Sequence, residues 1–152
     1  MSVNPTTIRT TLAELLRAGC PDAMRVYPDE PGDLGKKSPI IVLSRRGRGR
    51  NKQGQALRTF QTKIKLWLDV YVAAPDGRDY TDAEAAALLD TMAYQIDAVI
   101  DQYQTAIDSE TQAKLWQAIE YDIDSEIEFG IFNDDGVPRW REHMGLVVTV
   151  FA

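Results

Sequence analysis

Five acids, Glu120, Asp122, Asp124, Glu126 and Glu128, occupy every second position of an otherwise apolar run. Carboxylates at such density serve a metal ion, acid–base chemistry or a cationic partner. Asp122-x-Asp124-x-Glu126 matches the opening of a calcium-binding loop. The match ends there, because position six is Ile127 instead of Gly and position twelve is Asn133 instead of Glu. In an extended strand, period-two acids lie in a row on one face and do not wrap round one ion. The reading is therefore an acidic ladder facing solvent or a partner, with no metal. Its counterpart is the segment from 36 to 58. It holds Lys36, Lys37, Arg45, Arg46, Arg48, Arg50, Lys52 and Arg58, eight of the seventeen Lys and Arg residues, and no acid.

Nucleophilic catalysis finds little support. His143 is the single histidine and Cys20 the single cysteine. Cys20 follows the end of a helical pattern, where the dipole disfavours a thiolate. Ser38, Ser44, Ser109 and Ser125 lie in no Gly-x-Ser-x-Gly elbow. His143, within Arg141-Glu142-His143, reads as a surface or interface strand residue. Gly47, Gly49 and Gly54 sit among the arginines without Gly-Lys-Ser/Thr or Gly-x-Gly-x-x-Gly spacing, so no phosphate-cradling loop follows. The expectation is a protein that is not an enzyme, with no catalytic residues and no cofactor.

The basic segment has three readings. It can be a solvated hairpin tip. It can contact phosphates and release counterions, although no aromatic residue is interleaved for base stacking. It can dock on an acidic surface, since Arg pairs carboxylates in bidentate fashion. The chain supplies such a surface itself in Asp122, Asp124, Glu126 and Glu128. That contact would form within one molecule or head-to-tail between copies, and head-to-tail contacts close into rings.

The 152 residues suffice for one domain with a core, read as a single unit over 1–152. The formal net charge is −6, the apolar fraction 44% and the charged fraction 26%, values of an ordinary globular protein. The acidic balance opposes non-specific DNA coating. The longest strongly apolar stretch, Leu146 to Ala152, is far below the ~20 residues that span a bilayer, so no membrane partner is expected. No secretory signal is visible at Met1-Ser2-Val3-Asn4-Pro5, and one cysteine suits a reducing cytosol.

These residues need elements to position them. Asn4 as cap, Pro5 at the first position and Gly19 as stop predict an opening helix with Ile8, Leu12, Leu15 and Leu16 on one stripe. Met24 to Tyr27 and Pro39 to Ser44 read as strands. Thr59 to Ala73 reads as a long strand, with Phe60, Ile64, Leu66, Leu68, Val70 and Val72 on one face. Lys63, Lys65, Trp67, Asp69 and Tyr71 share the other. Residues 45–58 then form an extended basic loop at a hairpin tip, longer than the usual ~2–5 residues. Thr81-Asp82-Ala83-Glu84 opens the main helix, which runs to about Ile107. A short helix from Ser109 through Trp116, an unbroken strand from Ile119 to Phe132 and a last strand from Arg139 to Phe151, irregular near Gly145, complete the order. The fold class is α+β: one mixed or mainly antiparallel sheet of four or five strands, the long helix across one face, plus the N-terminal helix.

This order resembles the tail terminator, or tail-completion, proteins of long-tailed bacteriophages. The stretches that carry it are Thr6 to Leu16, Ser38 to Leu43, Trp67 to Val72, Ala83 to Ile100 and Val147 to Phe151. The resemblance implies a virion structural protein, or one encoded by a prophage, assembled in the bacterial host cytoplasm. Such subunits form a homo-oligomeric ring, commonly a hexamer, that caps the tail tube and joins tail to head. Implied partners are further copies of the chain, the tail-tube protein and a head–tail connector protein, with DNA passing through the ring. Head-to-tail connector (neck) proteins share the size and style. A nucleic-acid-binding module using the Arg/Gly loop is the reading from another class. The candidate interaction residues are Arg45, Arg46, Arg48, Arg50, Lys52, Arg58, Asp122, Asp124, Glu126 and Glu128, of which the nucleic-acid reading uses only those from 45 to 58.

Overall fold

Asn4 caps the first helix: its side chain accepts a hydrogen bond from the Thr6 amide at 2.8 Å. Pro5 fills the first helical position, where no amide hydrogen is needed. The computed structural model describes residues 4–31, 38–52, 60–73, 81–107, 114–122, 128–134 and 137–151. Helix α1 (Pro5–Gly19) buries Ile8, Leu12, Ala13 and Leu16. Its side chains also fasten the next element. Arg17 donates to the Val26 carbonyl at 2.8 Å and Arg9 to the Pro28 carbonyl at 3.2 Å. Strand β1 (Arg25–Tyr27) is thereby held against the helix and runs parallel to β2 (Ile40–Lys52).

Gly19 is more than a stop signal. A Cβ there would lie 2.2 Å from Val99 Cγ2, on the second helix. Valine is stiff about χ1 and cannot swing aside. Gly19→Ala is expected to destabilise the fold by about 1–3 kcal/mol through overpacking. Urea unfolding reads this, and Val99→Ala in the same background should return part of the loss. Additive losses would show that the two positions do not collide.

β2 pairs antiparallel with β3 (Phe60–Ala73), and β3 with β8 (Val137–Phe151). β6 (Ala118–Tyr121) and β7 (Glu128–Asp134) both pair with β8. The result is a mixed six-stranded sheet, ordered β1-β2-β3-β8-β6, with β7 on the same edge of β8 as β6. It is α+β and five strands wide. Helix α2 (Asp82–Gln102) starts at Thr81, whose hydroxyl accepts from the Glu84 amide. Both helices pack on one face of the sheet, in a core that joins Leu12, Leu16, Leu89, Met92 and Ile96 to Ile64, Leu66, Leu68, Leu146 and Val148. Among the described residues no helix is long and apolar enough to cross a membrane.

Three sequence expectations need correction. The basic segment is not a loop through its length: Arg45 to Lys52 belongs to β2 and pairs with residues 60–66. The Arg/Gly alternation suits that ladder. Gly47 and Gly49 lie opposite Lys65 and Lys63, while Arg48 and Arg50 lie opposite Ile64 and Thr62. No cation faces a cation, so the like-charge penalty between strands is avoided. Of the supposed loop, 53–58 lies outside the described residues.

The main helix ends earlier than expected, at Gln102, and Lys114–Trp116, the end of the supposed short helix, is a strand, while 109–113 lie outside the described residues. β4 (Ala106–Ile107) pairs with β5 (Lys114–Trp116). Trp116 is fully buried and donates its indole N–H to the Tyr103 carbonyl at 2.9 Å. That bond satisfies a carbonyl at the helix end, where intrahelical partners run out.

The run from Ile119 to Phe132 does not keep one register along β8 at its two ends, and its residues 123–127 lie outside the described residues. Tyr121 pairs with Leu146 and the Asp122 amide bonds the Gly145 carbonyl, but Glu128 pairs with His143. Residues 122 and 128 therefore face β8 positions only two apart. An unbroken ladder would keep one register. β8 itself is regular against β3 through Gly145.

Candidate interaction surface

The helix-free face of the sheet is built by the second face of β3. Register places Trp67 between Ser44 and Gly145, Asp69 between Val42 and His143, and Tyr71 between Ile40 and Arg141. Gly145 leaves the space beside Trp67 open. The Arg46 guanidinium lies over the indole, 4.3 Å from its centroid, and reaches the Asp122 carboxylate to form an ion pair. On the other side, the His143 ring rests against Trp67 with centroids 4.2 Å apart at 34°. His143 Nδ1 in turn pairs with Asp69 Oδ1. A continuous chain runs Asp122–Arg46–Trp67–His143–Asp69 across four strands.

Burial sets the electrostatics. The Asp69 and Asp122 side chains retain 8% and 6% exposure, so neither carboxylate is hydrated as a surface acid is. Burial pushes the Asp69 carboxyl up from its ordinary range, while the His143 hydrogen bond and the charges of His143 and Arg141 hold it down. Burial also raises the Tyr71 phenol, with the Asp69 charge adding to it and the Arg141 hydrogen bond opposing. Asp69 orients the imidazole as the third member of a catalytic triad would. Among the described residues, however, no serine or cysteine is hydrogen-bonded to His143. Cys20 is buried in the helix-side core, which pushes its thiol up to about 11.

The interaction residues read from the sequence divide as follows. Arg45, Arg46, Arg48, Arg50 and Lys52 all lie on β2, which among the described residues is flanked on its outer side only by the short β1. Asp122 directly follows β6 and Glu128 begins β7, both beside β8 at the opposite side of the sheet. Arg58, Asp124 and Glu126 lie outside the described residues. Arg46 and Asp122 are brought together within one molecule, the first of the two arrangements the sequence left open. Asp122 is correspondingly buried, not projecting with Glu120, which is exposed. Among the described residues no group of His, Cys, Asp and Glu converges as a metal site.

Sequence reading missed Asp69, His143, Trp67 and Arg141 as a unit, and read His143 as a surface or interface strand residue. Its side chain is 18% exposed and held on two sides. The period-two pattern of β3 does put Trp67, Asp69 and Tyr71 on one face. What it does not carry is that β8 is the adjacent strand, in the register that sets His143 beside Asp69. No protein-family model and no curated protein matches this chain.

Proposed function

We propose that this chain is a non-catalytic assembly subunit: a tail terminator of a long-tailed bacteriophage that forms a ring, caps the tail tube and joins it to the head. The observation that supports this reading most is the placement of charge. The cationic strand β2 and the acid-bearing β6 and β7 lie on opposite sides of one sheet. A subunit with unlike sides makes heterologous contacts, and these generate rings when the rotation closes. Arg46 and Asp122 satisfy one another internally, so the contact falls to the remaining charges, with Arg45 and Glu120 exposed. Partners on this reading are further copies, the tail-tube protein and the connector beneath the head. A ring that caps a tube can wait for its template, so the free chain is expected to be monomeric or weakly associated. Light scattering should show a discrete closed oligomer once assembled tail tubes are present, and its dispersal at high salt. A chain that stays monomeric both alone and with tubes overturns the reading.

One feature favours a second reading. Strand β2 carries five cations from Arg45 to Lys52, a row of charge that a phosphate backbone could meet. DNA affinity would then fall steeply with salt, by roughly one log–log unit per phosphate contact.

A further inference from the structure

We propose that the outer edge of β2, from Leu43 to Lys52, is a strand-addition site for an extended acidic segment of a protein partner. The inference deepens the assembly reading and rests on it for the partner being protein. β1 pairs only with Ile40, Ile41 and Val42. Past that point, among the described residues, no strand lies on the outer side of β2. Along these ten residues every second one therefore turns its N–H and C=O away from β3, towards whatever lies beside the edge.

Charge decides which strand can dock. The edge carries Arg45, Arg46, Arg48, Arg50 and Lys52, with a register shift between Arg45 and Gly47. Edge charges and bulges are how proteins discourage pairing with a second copy of the same edge. A cationic edge repels a cationic strand and admits an acidic one, so a single device gives both exclusion and selection. Main-chain bonds would supply affinity and alternate side chains specificity, as in other strand-addition complexes.

A cleft of about 370 Å³ flanks this edge, near the start of α1. Arg9, Arg45, Arg46 and Lys65 line it, with Ile64 and Leu66, and its described lining residues include no acid. Arg9 is tied to Pro28 and Asp29, and Arg46 to Asp122. Arg45 and Lys65 make no ion pair among the described residues, which leaves them for an incoming carboxylate. A strand added to β2 would turn every second side chain toward the cleft side. Acids alternating with apolar residues match it. A phosphate backbone would use the cations but not the row of amides and carbonyls.

The test is fluorescence anisotropy of the full chain with a labelled synthetic peptide, Glu-Tyr-Asp-Ile-Asp-Ser-Glu-Ile-Glu, which has that alternation. The controls are the same peptide with both isoleucines replaced by proline, of equal charge, and an oligothymidylate. Saturable binding of the first peptide is expected, with loss on proline replacement because proline cannot complete a ladder. Arg45→Ala with Lys65→Ala should weaken it about tenfold, two partly exposed charge contacts' worth. Both residues are solvent-accessible, so an unchanged urea midpoint keeps the fold out of the result. Equal binding of the proline peptide, or stronger binding of the oligothymidylate, overturns the proposal. Peptide binding by a chain that stays monomeric even with assembled tail tubes supports the edge site while counting against the ring.

Discussion

Arg46→Met is expected to lower stability by about 2–3 kcal/mol, and adding Asp122→Leu to restore most of it. The single substitution leaves the Asp122 carboxylate at 6% exposure without the guanidinium that faces it. Removing one member of a fully buried pair costs about 3–5 kcal/mol, and the 18% exposure of Arg46 moves the figure down. The Met side chain keeps the apolar contact with Trp67, so the loss isolates charge from packing. Removing both charges ends the desolvation cost that the pair itself carries. Urea midpoints at constant slope give the four corners of the cycle. Simple additivity would mean that the two side chains do not depend on one another.

That cycle also bears on assembly. If the Arg46→Met, Asp122→Leu protein folds and still forms oligomers, the internal pair is a brace for the sheet. The contact between copies then belongs to the other charges, as the opposed edges suggest.

How far the sequence carried the fold can be traced through particular residues. Asn4, Pro5, Thr81 and the apolar stripe of α1 are local signals, and each sits where its chemistry placed it. The faces of β3 followed from alternation, with Ile64, Leu66, Leu68, Val70 and Val72 all buried. The failures share a cause. Arg and Gly have weak strand preference, so Arg45 to Lys52 reads as a loop until β3 supplies a partner. Tyr103 and Trp116 end α2 through a bond across thirteen residues. The period of Ile119 to Phe132 is genuine, but a period does not show that two halves pair with β8 in different registers. The interaction residues were legible as charges. Their division between two sides of one sheet, and the pairing of Arg46 with Asp122, depend on strand order.

His143→Ala tests the other end of the chain of contacts, and its signature is pH dependence. Asp69 retains 8% side-chain exposure and His143 is the partner it faces. Loss of that partner is expected to cost about 2 kcal/mol at neutral pH, the desolvation penalty of a buried acceptor left short of a donor. The sign follows from linkage. Burial already holds the Asp69 carboxyl above its ordinary range, so the folded protein binds this proton more tightly than the unfolded chain. Its contribution to stability is fully present below the ordinary carboxylate value and is lost as pH rises through the folded value. The His143 hydrogen bond and charge restrain that rise. Without them the folded value climbs further and the loss on ionisation grows. The deficit of His143→Ala should therefore be small in acid, where Asp69 is protonated in both proteins, and widen towards neutral pH. Asp69→Asn in the same background should reduce the difference, because the Asp69 proton is then removed from the linkage. A deficit that is the same at every pH would assign the loss to the contact with Trp67 instead, and Asp69 would then have no part in it.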